Sequence, residues 1–317
     1  MGGDMKSISK VEMPVEEWLA LRKRSIGASE VAVLLGLNPY KTTYQLWEEK
    51  ILDGPLEQIH NDAIDFGNKL EEIVAQTYAE RAQRKVIRDN KIRVHPEIDF
   101  FTCNLDRVIL PIDGEGRGVL ECKTASGFAS GSWESEVPPM YYTQVQAQLA
   151  ITGYKWGALA LLVDGRKFKS FEIERDEKFI RSLVQIVSDF WNENVLAKVP
   201  PPAQVSDYER MSSNVGEVAH ADESVVAAYS QLVQVKADIA SMEINKDQLE
   251  EKIKLAIGTA ETIEYNGVAL ATWKTSKPSA GFDIAGFKAA VNRPDLESKF
   301  VTEKPGTRRF LLKKGGK

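Results

Sequence analysis

Apolar residues recur along this chain at two different spacings. Over residues 62–82, Ala63, Phe66, Leu70, Ile73, Val74, Thr77 and Tyr78 follow helical spacing, which predicts a long amphipathic helix. Upstream, "VEEWLALRKR" (15–24) reads as a shorter helix with Trp18 and Leu21 inward. After a break at Ser25–Gly27, Ser29 is placed to cap a helix over "EVAVLLG". "NPYKTTYQLWEEKI" reads as a turn followed by another helix. From about 85 to 123 the period shortens to that of strands, and "PIDGEGRG" predicts a turn pairing 105–110 with 117–123 antiparallel. A helix then begins after a proline pair in "PPMYYTQVQAQLAITG". A hairpin follows around Asp164–Gly165, and residues 176–197 form a long helix ended by "VPPPAQ" (199–204).

That proline run predicts a domain boundary. Residues 1–202 read as one α+β domain, a mixed sheet flanked by helices, and 203–317 as an accessory domain. Within the latter, 222–257 carries a loose apolar stripe (Val225, Tyr229, Leu232, Ile239, Leu249, Ile253), predicting one long helix or two broken near Ile244–Asn245. A small α+β unit follows, with "GVALATWKTS" as a strand and "FDIAGFKAAV" as a helix, and then the basic end "EKPGTRRFLLKKGGK".

Composition narrows the class. In 317 residues, 43% apolar content is ample for a core, and no apolar run is long enough to span a bilayer. The N-terminus lacks the pattern of a signal peptide. Cys103 and Cys122 are too few for a disulfide framework and fit a reducing compartment. A net charge of -5 argues against a generic nucleic-acid coat, but not against an enzyme whose acidic residues hold a cation. His60, His95 and His220 show no ligand spacing for zinc, and no Gly-rich phosphate loop followed by Lys-Ser/Thr occurs.

The stretch "GVLECKTAS" (118–126) carries the chemistry. On a strand, Leu120 and Cys122 face one side while Glu121 and Lys123 face the other. A solvated edge with a surface ion pair is the ordinary explanation. Asp106, in "FTCNLDRVIL" on the preceding strand, shifts the balance, because the hairpin turn returns the chain so that Asp106 lies beside Glu121. Two carboxylates with a lysine suit a divalent-metal phosphodiesterase: hard oxygens hold Mg²⁺, and the lysine orients water or steadies charge on the phosphate. On the 62–82 helix, Glu71 shares its flank with Gly67, Val74, Ala75 and Tyr78. It is therefore expected to face the protein, where a metal or metal-bound water would compensate its charge; a partly exposed helix charge is the plain alternative. In "RKRSIGASE", Arg22, Arg24 and Ser29 cluster at a helix start, a ready anion site; capping by Ser29 with solvated basic residues is the plain alternative. The basic run 81–93 lines a duplex or is simply solvated.

In order, "WLALRKRSIGASEV", "FGNKLEE", "CNLDR", "LECKTA" and "YYTQVQAQLAITG" resemble the YqaJ-type viral recombinases, the family that includes phage lambda exonuclease, within the PD-(D/E)xK nuclease superfamily. The resemblance spans roughly residues 15–200. It implies a restriction-endonuclease-like core and Mg²⁺-dependent 5′→3′ digestion of one strand at double-stranded DNA ends. The cofactor would be two Mg²⁺ ions per site, with Mn²⁺ as a substitute. It further implies a ring-shaped homo-oligomer, a trimer, whose 3′ single strands pass to a single-strand annealing protein. The setting would be the bacterial cytoplasm, in a phage or prophage system. By the same resemblance Asp106, Glu121 and the Cys122 backbone carbonyl are metal ligands, and Lys123 is the catalytic lysine. Glu71 serves the second metal or its water, Gln144 belongs to the helix motif, and Arg22 and Ser29 hold the 5′-phosphate. Arg24 has no certain counterpart. The family's Pro-Asp pair is here Leu105–Asp106, and the part beyond about 205 lies outside the resemblance.

Two other readings compete. An endonuclease or nickase would use the same site without needing a free 5′ end. A non-catalytic DNA-binding scaffold on a nuclease fold would be expected to have lost Asp106, Glu121 or Lys123.

Overall fold

A computed structural model describes residues 6–54, 61–112, 114–126, 136–211 and 216–275. The chain divides into two compact units, Met1–Ser212 and Ser213–Lys317.

In the first unit the order begins β1 (Ser7–Ser9), α1 (Val15–Lys23), β2 (Ile26–Gly27), a 3-10 turn at Ala28–Glu30, α2 (Val31–Leu34), α3 (Thr43–Ile51) and α4 (Asp62–Ala82). Strands β3 (Val86–Arg88), β4 (Lys91–Val94), β5 (Phe101–Asn104), β6 (Arg107–Ile109) and β7 (Gly118–Ala125) follow. After them come α5 (Pro139–Thr152), β8 (Trp156–Val163), β9 (Lys167–Glu174), α6 (Glu177–Asp189), which continues as a π-helical segment over Phe190–Leu196, and α7 (Val205–Arg210).

Two sheets result. The five-stranded sheet runs β3-β6-β7-β8-β9, and the four-stranded one runs β1-β4-β5-β2. In the larger sheet only β7–β8 is parallel, and α5 makes that crossover. Strand β8 is apolar on both faces (WGALALLV) because both are covered. On one side Leu120, Ala158 and Ala160 pack with Val74, Ala75 and Tyr78 of α4. On the other, Val119, Leu159 and Leu161 pack with Val145, Leu149 and the helices behind them. The strand hairpins and the helix over 62–82 lie where the sequence pattern places them, but within that helix Phe66 and Ile73 are exposed; the buried stripe is Val74, Ala75 and Tyr78.

The first unit continues past the proline run at 199–204. Asp207 of α7 is fully buried, accepts a hydrogen bond from Thr42 Oγ1 at 2.7 Å, and caps its own helix through the Gln204 amide. Arg210 pairs with Glu48 of α3. The boundary expected at 202 therefore lies at 212, because a short helix beyond the prolines returns to the core.

The second unit carries α8 (Glu223–Ile257), one unbroken helix of 35 residues, capped by Asp222. Of the two alternatives read from the sequence, one long helix or two broken near Ile244–Asn245, the single helix is the one formed. A hairpin follows, β10 (Thr262–Tyr265) and β11 (Val268–Thr272), turning at Asn266–Gly267. Both turn residues have positive φ, the geometry for which Asn-Gly is suited. The expected helix "FDIAGFKAAV" and the basic end lie outside the described residues.

Candidate active site

The β6–β7 hairpin sets the site. Arg107 pairs with Leu120, so Asp106, one residue before β6, falls beside Glu121. Because β6 begins at Arg107, the edge of β7 is open from Glu121 onward. The Cys122 N–H, left without a strand partner there, donates to Asp106 Oδ2 at 2.8 Å. In a strand, a residue's N–H and C=O point to the same side, so the Cys122 carbonyl shares that edge with Asp106.

Glu121 points to the opposite face of β7 from Leu120, toward α5, and is buried. Gln144 and Gln148, one helical turn apart, donate to its two oxygens, Oε1 and Oε2, each at 2.6 Å. Lys123, two residues along the same face, places Nζ 2.6 Å from Glu121 Oε1 and lies over the Tyr141 ring at 5.4 Å. Burial opposes the charge on Lys123, but Glu121 and Asp106 outweigh it and raise its pKa, so Lys123 stays an ammonium. Asp106 is raised as well, which for a carboxylic acid favours the neutral form: burial first, then the Glu121 charge, move it up to about 8 against the pull of Lys123 and the Cys122 amide.

Two neighbouring carboxylates, one of which resists ionisation, form a donor set that suits a divalent cation. Among the described residues no three His, Cys, Asp or Glu side chains cluster as ligands. A cation at this edge would meet two carboxylates, Asp106 and Glu121, with the Cys122 carbonyl adjacent, and would keep several waters, as Mg²⁺ readily does.

Glu71 has a protein partner that the sequence pattern does not reveal. Arg107, buried at the start of β6, donates to Glu71 Oε1, to Glu72 Oε2 at 2.8 Å and to the Asp106 carbonyl. The Arg107 guanidinium balances the Glu71 charge here, and that charge still reaches Asp106. Glu72 shares that arginine and also pairs with Arg88.

A cleft of about 190 Å³ joins this edge to the N-terminal segment. Its walls include Asp106 and Gln144 on one side and Arg22, Ser29 and Trp18 on the other. Ser29 does not cap a helix. The Glu30 carboxylate accepts from the Gly27 amide at 2.8 Å and takes that role, leaving the exposed Ser29 hydroxyl to the cleft. Arg22 stacks on Trp18 at 5.0 Å and donates to Glu30 Oε1 at 3.2 Å. Lys50, fully buried, donates both to Glu30 Oε2 at 2.9 Å and to the Arg22 carbonyl at 2.8 Å. Burial works against the Glu30 carboxylate, yet Lys50, Arg22 and the Gly27 amide hold it below the usual carboxylate range. Arg24 is not brought in: it is exposed, and its Nε donates back to the Ala20 carbonyl. In the basic run 81–93, Arg84 pairs with Glu115, Arg88 with Glu72 and Arg93 with Asp89.

Gln148, Arg107, Glu30 and Lys50 escape sequence reasoning. Glutamines at 144, 146 and 148 of a largely buried helix were the available signal for the first. A lysine in "LWEEK" gave none, since nothing local distinguishes a buried lysine from a solvated one.

A mixed, helix-covered sheet with Asp106, Glu121 and Lys123 gathered at its β6–β7 hairpin defines an α+β protein with a carboxylate-and-lysine site. The domain model of the YqaJ-like viral recombinase family matches residues 17–155. Protein YqaJ of Bacillus subtilis (strain 168) is 34% identical over 312 residues, covering 95% of each chain. The chain belongs to this family. Among solved structures, the alkaline exonuclease LHK-Exo from Laribacter hongkongensis is 24% identical, covering 58% of this chain and 94% of its own, with a TM-score of 0.49. A phage related exonuclease from Haemophilus somnus 129PT is 12% identical, covering 55% and 96%, with a TM-score of 0.42. Among the described residues no helix is long and apolar enough to cross a membrane.

Proposed function

We propose that this protein is a Mg²⁺-dependent deoxyribonuclease that digests one strand of duplex DNA from a 5′ end. The observation that carries the reading is the single cleft shared by Asp106 and Gln144 with Arg22 and Ser29. An anion held at Arg22 and Ser29 would present the adjoining phosphodiester to the carboxylate edge. Membership of the YqaJ-like viral recombinase family supports a nuclease acting in recombination.

Asp106, Glu121 and the Cys122 carbonyl would hold the ion, and Glu71, whose charge reaches Asp106, would serve a second ion or its water. When bound, a divalent cation polarises the phosphate and lowers the pKa of water. The protein's own groups do the rest. Gln144 and Gln148 fix Glu121 so that its oxygens cannot turn away. Lys123, kept protonated, is suited to neutralise charge growing on the phosphate and not to remove a proton from water. Arg22, gripped by Glu30, offers its remaining donors to a terminal phosphate. The products would be 3′ single strands for an annealing protein, made by a ring-shaped homo-oligomer in the host cytoplasm.

The test uses linear duplexes with 5′-phosphate or 5′-hydroxyl ends and closed circles, with Mg²⁺. Digestion restricted to linear DNA and faster from 5′-phosphate ends is expected. Cleavage of closed circles would replace the exonuclease with an endonuclease, and binding without cleavage would leave a DNA-binding scaffold.

A further inference from the structure

Helix α8 has a sequence periodicity whose apolar positions are exposed among the described residues. Taken from Val225 in steps of three and four, one set of positions is Val225, Leu232, Ile239, Lys246 and Ile253, and the other is Ala228, Val235, Met242, Leu249 and Ala256. These are the a and d positions of a heptad, apolar at every place except Lys246. The large apolar members are between 36% and 72% exposed. A seam repeating every 3.5 residues over this length fits a second helix wound around the first better than a flat protein surface.

The charges beside the seam decide which helix. In a parallel in-register pair Lys246 would face Lys246 of the second copy across the seam, and Asp238 at g would face Glu243 at e, so like charges would meet at both places. With the second copy reversed, the layers become Val225 with Ala256, Ala228 with Ile253, Leu232 with Leu249, Val235 with Lys246, and Ile239 with Met242. Every a position then meets a d position along the full length. Lys246 lies against Val235, where its stem packs and its ammonium reaches water. At the e positions Lys236 faces Glu243, and by symmetry the pair forms twice. We propose that α8 is an antiparallel coiled-coil arm that pairs with the same arm of a second copy of this chain. Nothing in this pairing depends on the chemistry of the cleft.

Disulfide trapping in the full-length chain tests it. Val235 and Lys246 are exposed, so substitution there leaves the fold unperturbed. In a Val235→Cys/Lys246→Cys chain the two cysteines lie about 16 Å apart on their own helix. That is beyond the roughly 7 Å a disulfide spans, so a 235–246 bond forms only between copies. After mild oxidation, most of this double variant is expected as a species of twice the chain mass whose digest contains the 235–246 link. Lys246→Cys alone is expected to cross-link no more than the native chain, which retains Cys103 and Cys122. A 246–246 link would overturn the proposal in favour of a parallel pair. No cross-linking of the double variant above the native level would overturn it in favour of a different partner for the seam.

Discussion

Lys50 Nζ lies 2.9 Å from Glu30 Oε2, with both side chains buried, and the same ammonium donates to the Arg22 carbonyl. A buried pair is a poor source of stability by itself, but removing one partner strands the other. Arg22 is thus held twice, at its backbone by Lys50 and at its guanidinium by Glu30. Lys50→Met should cost about 3 kcal/mol, read by denaturant unfolding, and a Glu30→Gln/Lys50→Met double variant should recover much of that loss. If the double variant is as unstable as the single, the pair is not what Lys50 sustains.

Arg22 itself is the test of the anion pocket. A charge-assisted hydrogen bond is worth roughly 1.5–3 kcal/mol, so the native protein should prefer a 5′-phosphate end by about tenfold or more. Arg22→Ala should erase that preference, measured as the ratio of digestion rates on 5′-phosphate and 5′-hydroxyl duplexes. Arg24→Ala should leave it intact, because Arg24 lies outside the cleft. Loss of the preference on removing Arg24 would reassign the pocket.

Asp106 ties the site to pH. Unfolded, it ionises near its ordinary value of 3.8; folded, it keeps its proton up to about 8. Its contribution to stability is therefore full below the unfolded value and is lost as pH rises toward 8. In metal-free buffer at pH 8, Asp106→Asn should raise the unfolding temperature, by about 2–4 °C for each kcal/mol relieved, with the gain vanishing near pH 4. Mg²⁺ should stabilise the native chain and leave Asp106→Asn largely unmoved. An unchanged melting temperature for the variant at pH 8 would show that the carboxyl is not strained there.

These contrasts show what a sequence discloses. The hairpin, the Asp106–Glu121 adjacency and the shared face of Glu121 and Lys123 were legible because strand period and turn chemistry are local. Glu71 was correctly turned toward the protein, but its partner was not found: Arg107 sits beside Asp106 in sequence, and only the packing of α4 on the β6–β7 edge brings it to Glu71. Ser29 looked like a cap because hydroxyl residues favour that place. Glu30 won it by reaching back to the Gly27 amide, a choice fixed by Lys50 twenty residues away. The proline run at 199–204 marked the end of a helix and not the end of a unit, since nothing local reveals that Asp207 returns to Thr42.

Lys123 distinguishes transition-state stabilisation from binding. It is held by Glu121 and lies over Tyr141, and under the proposed function its ammonium would meet charge that appears only during the reaction. Lys123→Ala should lower turnover far more than duplex affinity, comparing single-turnover rates with binding in a metal that does not support cleavage. Lys123→Arg should not rescue it, because a planar fork does not fill the place of a compact ammonium. Equal losses in binding and turnover would make Lys123 an ordinary phosphate contact.

The extent of the first unit yields the last expectation. A chain ending at Pro202 lacks α7, so Thr42 loses the Asp207 carboxylate and Glu48 loses Arg210. The surface that Asp207 covers is opened as well. A chain ending at Ser212 keeps all of these contacts and loses only the second unit. A buried hydrogen bond to a charged group contributes about 1.5–3 kcal/mol. For a unit of this size each kcal/mol is about 2–4 °C, so the 1–202 chain should melt several degrees below the 1–212 chain. The ion pair at Arg210 adds little, being exposed at one end. Asp207→Ala in the longer chain isolates the carboxylate from the rest of the helix: it should reproduce a large part of the difference. If 1–202 and 1–212 melt together, α7 is an attachment and the boundary belongs at the prolines. If both are stable but only the 1–212 chain digests DNA, α7 supports the site through α3, whose Lys50 grips Glu30 and Arg22.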